Sequence, residues 1–368
     1  MTVRLAKQIA GLALIQTAAL GQGGISLAGS DYGTPWALSV APGQIITLRV
    51  IGLKTILPAN APVRAASVPL PKSLAGFSVV LTQTGPALTE QLPFFAVQQF
   101  NQCGGPDSNA VSPDCIVTAL TVQVPFDITV PVLGGSGLIL PSPGQSTAIS
   151  ILEAGGSSRS FAVQPIPFNS HILTSCDLVL GGSPPPPHTS NAFCEPIVTH
   201  ADGSPITGAN QAKINEILVM YAVGLGVTVP PAVAGEATPL RPPYARPNAQ
   251  VRYLYNVPRP PGVGGYFGEF SGLVPGLVGV YQVNFPVIPP LDQSFDCSVF
   301  GPALRFGIYG GLETATQALS YLERDTAALC VDTKPADALP FASVAPMATK
   351  IPKALRDAFG PGPRRIDR

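Results

Sequence analysis

Two apolar runs constrain this chain more than anything else in it. Gly43 to Leu53 reads GQIITLRVIGL, and Asn215 to Leu225, 172 residues on, reads NEILVMYAVGL; both end in Gly-Leu. A second pair of landmarks follows in the same order. Leu120 to Pro125 (LTVQVP) is answered by Tyr281 to Pro286 (YQVNFP) at an offset of 161. A chain that carries one order of runs twice is expected to fold as two like units. The offset falls by 11 between the landmarks, so the first copy holds that many extra residues. Asn101 to Cys115 (NQCGGPDSNAVSPDC) is the natural place for them, being polar, rich in turn formers and bracketed by cysteines.

The runs between the landmarks have the period of strands. Phe77, Val79 and Leu81 alternate with Ser78, Val80 and Thr82, and Val251, Tyr253 and Tyr255 alternate with Arg252, Leu254 and Asn256. Residues 147–152 and 161–164 continue the first copy, as 304–309 and 327–331 continue the second. Proline-rich breaks at 58–71, 184–187 and 239–247 fall between strands, where a missing N–H removes no ladder bond. Composition agrees: 42 Pro and 38 Gly against only 21 basic and 21 acidic residues leave no room for long helical bundles. A net charge of zero and a mean hydropathy of +0.32 exclude a disordered polyelectrolyte and a strongly basic nucleic-acid surface. The expected fold is all-β, with two tandem immunoglobulin-like β-sandwich domains over 30–168 and 169–335. The Asp202-Gly203 turn predicts a hairpin near the start of the second copy. A basic, proline-containing tail occupies 336–368; residues 351–359 predict a short helix within it, stopped by Gly360 and Pro361, on an otherwise solvated segment.

The first 21 residues read as a signal peptide. Arg4 and Lys7 precede an apolar stretch from Ile9 to Leu20, and small residues at Ala19 and Gly21 suit cleavage before Gln22. Six cysteines, an even number, agree with export: Cys103, Cys115, Cys176, Cys194, Cys297 and Cys330. Sequence order suggests the pairs 103–115, 176–194 and 297–330, one of 15 possible connectivities. Closing a loop of roughly a dozen residues stabilises a fold by about 3 kcal/mol. The expected location is secreted or cell surface. No later segment reaches 18 uninterrupted apolar residues, so no membrane span is expected.

No catalytic signature is found. GxSxG, HExxH and Walker-type spacings are absent, and GVGGYFG (262–268) reads as a glycine-rich turn. The acids are scattered, and Asp127, Glu216 and Glu269 read as solvent-facing strand residues. His171, His188 and His200 stand at no zinc-ligand spacing and read as solvated loop residues. The expectation is therefore no enzymatic activity, no cofactor and no metal. Seven aromatics crowd into the second copy: Tyr244, Tyr253, Tyr255, Tyr266, Phe267, Phe270 and Tyr281. Most of them read as core, with Tyr253 and Tyr255 on the face of Val251. Tyr266 and Phe267, beside the glycines, are the candidate binding pair, because aromatic faces take sugars and protein partners.

The run from Ser39 to Leu53, then PLPKSLAGFSVVL (69–81) and LTVQVP, resembles the Solibacter uncharacterised C-terminal domain family. THADGSPITGANQAKINEILVMYAVGLG (199–226) and GLVPGLVGVYQVNFPVIPP (272–290) carry the same resemblance through the second half, over about 36–335. It implies secreted, tandem immunoglobulin-like modules, and brings with it no catalytic residues. The cysteine-closed insertions, the PPPPH loop and the basic tail depart from the family pattern. The function expected is that of a non-catalytic exported structural or interaction protein, in adhesion, surface display or self-assembly, acting through exposed strand edges and apolar loops. The alternative is a carbohydrate-binding module using Tyr266 and Phe267.

Overall fold

A computed structural model describes residues 26–30, 38–58, 61–101, 113–131, 145–156, 158–178, 195–248, 250–255, 266–287, 304–311, 325–335 and 350–360. The first half runs β1 (Ser26–Ser30), β2 (Leu38–Val40), β3 (Ile45–Ile51), β4 (Val63–Arg64), β5 (Ser73–Leu74), β6 (Phe77–Thr84), β7 (Leu88–Gln91), β8 (Phe94–Asn101), β9 (Ile116–Gln123), β10 (Ser146–Glu153) and β11 (Ser158–Pro165). The second runs β12 (His171–Ile172), β13 (Val198–Thr199), β14 (Ala212–Ile214), β15 (Ile217–Val223), β16 (Thr228–Val229), β17 (Arg246–Pro247), β18 (Gln250–Tyr255), β19 (Tyr266–Phe267), β20 (Phe270–Leu273), β21 (Tyr281–Pro286), β22 (Leu304–Gly311), β23 (Asp325–Leu329) and β24 (Val331–Pro335). One helix, α1 (Lys353–Phe359), follows. The chain is all-β apart from this helix and a single 3-10 turn at Pro113–Cys115, among the described residues.

The two halves of the chain carry like strand orders. One sheet of the first half is β1-β3-β9-β8-β4, and its counterpart in the second is β12-β15-β21-β20. The facing sheets carry β11-β10-β6 in the first half and β23-β22-β18 in the second. Each half also pairs an early strand in parallel with a late one, β2 with β11 and β14 with β24. The landmark strands are the paired centres: β3 lies antiparallel to β9, and β15 to β21. Their registers differ by two residues. Ile46 pairs with Val122, whereas Leu218, 172 residues on from Ile46, pairs with Phe285 rather than Val283. A slip of two keeps every side chain on its original face, so the core survives it.

Two cores fill the halves. Ile46, Leu48 and Val50 of β3 meet Phe77, Val79 and Leu81 of β6 in the first. In the second, Leu218, Met220 and Ala222 of β15 pack with Tyr281, Val283 and Phe285 of β21. The intervening β15 residues, Val219, Tyr221 and Val223, point the other way into a third core. A strand buried on both faces has no reason to alternate polar residues, which is why NEILVMYAVGL reads as an unbroken apolar run. The Gly-Leu end of that run is a backbone requirement. Gly224 has φ +74, and a Cβ there would run into the carbonyl oxygen of Asn169, whose own N–H donates to Gly224 O at 2.9 Å.

The Asp202-Gly203 turn forms as expected: His200 N donates to Ser204 O and Gly203 N to His200 O, with Gly203 at φ +85. The cysteine-flanked segment falls between β8 and β9, which pair antiparallel with Asn101 opposite Ile116. Cys115, Cys176 and Cys330 are disulfide-bonded. Cys103, Cys194 and Cys297, and the leader at 1–21, lie outside the described residues.

Candidate interaction site

The third core is the place where the halves meet. Ile45, Leu70, Phe95 and Ala96 come from the first half; Val219, Tyr221, Val223, Val274, Val278 and Val280 come from the second. Helix α1 closes this junction. Its sequence KALRDAF puts Leu355, Ala358 and Phe359 at i, i+3 and i+4, a single apolar stripe, and all three are buried. Phe359 stands edge-on to Phe95 of the first half, and its carbonyl accepts from Val278 N of the second at 2.9 Å. The exposed side of α1 carries a Lys353–Asp357 ion pair. The helix expected from residues 351–359 therefore forms, but its segment is docked rather than solvated.

A polar stitch runs beside this core. Gln123, at the end of β9, is fully buried. Its Oε1 accepts from Gly235 N at 2.7 Å and its Nε2 donates to Gly43 O at 3.2 Å. Gly235 O in turn accepts from Leu70 N at 2.8 Å. Gly235 has φ +81 and lies against Pro93, so it must be glycine for two reasons at once. Both backbone polar groups of this one residue in the second half are thus held by the first.

Gly235 belongs to a strap, residues 227–244, that crosses the junction. The strap is pinned from within. Thr228 and Thr238 are buried; Thr228 Oγ1 accepts from Ala232 N, and Thr238 exchanges backbone hydrogen bonds with Gly276 and Leu277. Its outward side chains are apolar apart from Glu236 and Arg241. Four of the five large hydrophobics that stand exposed among the described residues are here: Val227, Val229, Val233 and Leu240, the last three at 57%, 59% and 75%. Five prolines in the same stretch (230, 231, 239, 242 and 243) carry no N–H. The proline-rich break read from the sequence at 239–247 takes in only the end of this segment, and residues 227–238 drew no reading. The available signal was an apolar stretch with neither helical nor strand period and only Glu236 and Arg241 for charge.

Two histidine–carboxylate pairs are found among the described residues. His200 Nδ1 lies 2.5 Å from Glu216 Oε1, and Glu216 Oε2 accepts from Lys213 N at 2.9 Å. Glu216 is therefore not the solvent-facing strand residue expected; it ties β14 and β15 to the hairpin turn. His171 Nε2 lies 3.0 Å from Asp177 Oδ2, which also takes the hydroxyl and N–H of Thr174, each at 2.6 Å. Burial alone would raise the Asp177 pKa, but the hydrogen bond and charge of His171 and the two bonds from Thr174 hold it below its ordinary value. Both histidines are paired structural residues, contrary to the solvated-loop expectation; His188 lies outside the described residues. Burial pushes the Tyr221 hydroxyl up to about 12. By hydrogen-bond geometry neither it nor the nearby Thr199 hydroxyl has a partner.

Of the sequence-named aromatics, Phe270 and Tyr281 are core residues, and the Tyr281 hydroxyl donates to Gly226 O at 2.7 Å. Tyr266 and Phe267 form β19, the edge strand of its sheet, paired with Tyr253 and Arg252 of β18. Their side chains lie outside the described residues, as do those of Tyr253 and Tyr255. Among the described residues no three His, Cys, Asp or Glu side chains converge as a metal-binding group. No described helix is long and apolar enough to cross a membrane.

No family model matches the chain, and no curated protein matches it. Among solved structures it is similar to a marsupial T cell receptor at 8% identity, over 87% of this chain and 75% of that one, with a TM-score of 0.18. That likeness is too slight to bear on fold or function.

Proposed function

We propose that this protein is a non-catalytic structural protein of an oxidising, exported compartment, working by self-association through its surface. On this reading each half is an immunoglobulin-like sandwich, and the parallel pairing of an early with a late strand in both halves supports it. The observation that carries the proposal is the junction core. Two repeats that only needed a tether would meet through a small polar contact. Here β15 is buried on both faces, one residue's backbone is bonded across the halves, and α1 seals the seam. A rigid body of this kind suits repetitive assembly, because little ordering remains to be done when copies meet. The bonded state of Cys115, Cys176 and Cys330 supports an oxidising compartment.

Sedimentation velocity on the native chain tests the proposal. Concentration-dependent association across the micromolar range is expected, and a strictly monomeric profile contradicts it.

A further inference from the structure

We infer that the outward face of the 227–244 strap is the surface through which two copies of this chain meet. The inference rests on the self-associating function proposed above and assigns that function a site. Four observations carry it.

First, exposed apolar side chains are concentrated on this one segment. Val229, Val233 and Leu240 are more than half exposed, and Ile56 is the sole large hydrophobic standing exposed elsewhere among the described residues. Surface hydrophobics scattered singly need no explanation, but four of the five fall within the fourteen residues 227–240.

Second, the segment is anchored to residues outside it by Gly235 and Thr238 and braced within by Thr228, so its valines are not outside for want of a fixed backbone. A surface already ordered loses little entropy on docking.

Third, its prolines lack the N–H groups that strand addition needs, so the contact is made by side chains rather than by the open strand edges expected from sequence.

Fourth, the charges fit a second copy of the same surface. In a two-fold contact residue i meets residue j and j meets i, so a self-complementary face carries both signs equally. The strap holds one acid, Glu236, and one base, Arg241; both are exposed and neither has an ion-pair partner among the described residues. With zero net charge, no long-range repulsion keeps copies apart.

The test is sedimentation velocity on the full chain, with far-ultraviolet circular dichroism confirming the fold of each variant. Val233→Asp is expected to weaken association by about tenfold or more, as loss of a central apolar contact does. Glu236→Arg and Arg241→Glu should each weaken it, and the double reversal should restore most of the loss. The reversals lie at exposed sites, so they answer the question even if Val233→Asp fails to fold. Folded strap variants that associate as the wild type does would overturn this site while leaving the function standing. A monomeric wild type would overturn both.

Discussion

The ring of Phe359 meets that of Phe95 edge-on, with centroids 5.8 Å apart and planes at 80°. The two residues stand 264 positions apart in the chain, and between them lies the seam of the two halves. Edge-to-face rings at this distance attract beyond the area that they bury. Phe359→Ala removes this contact and leaves a hole lined by both halves. The expected loss is about 3 kcal/mol in denaturant unfolding. Lys353→Ala, on the solvent side of the same helix at 80% side-chain exposure, should leave stability unchanged.

Gln123→Leu keeps the volume of a fully buried side chain but strands the Gly235 N–H that it satisfied. An orphaned buried donor makes the variant less stable by about 2 kcal/mol. The denaturation midpoint should fall with an unchanged slope.

The two buried tyrosines of the paired central strands should respond in opposite senses to loss of the hydroxyl. Tyr281 donates to Gly226 O, so Tyr281→Phe removes a made bond and lowers stability by about 1 kcal/mol. The Tyr221 hydroxyl is sealed without a partner, so Tyr221→Phe should hold or raise stability. Thermal melts of the two variants at neutral pH decide the matter.

The acid limb of stability should depend on Asp177. Its pKa is lowered in the folded state from an ordinary 3.8, so its contribution is fully present above that value. The contribution is lost as pH falls through the depressed folded value. Asp177→Asn should flatten the stability profile in that window, seen in denaturant midpoints recorded from pH 5 downward.

The like runs at β3 and β15 were legible because each strand is interior to a sheet, and interior strands are the most apolar. The two-residue slip between β3–β9 and β15–β21 was not, since a shift by an even number leaves no trace in an alternating pattern. The helix at 353–359 could be read from Leu355, Ala358 and Phe359, but its docking could not, because Arg356 and its flanking basic residues dominate the composition of the tail. Glu216 and His200 lie 16 residues apart, and a pair made across a turn has no local spacing to betray it. The strap failed for a different reason. Its prolines mark a break between strands, and nothing in the order of residues says that Thr228, Gly235 and Thr238 face inward while the valines face out.

Differential scanning calorimetry of the intact, oxidised chain tests the junction most directly. If the halves form one body, a single transition is expected, with calorimetric and van't Hoff enthalpies in agreement. Two separable transitions, each with the enthalpy of half a chain, would contradict the account.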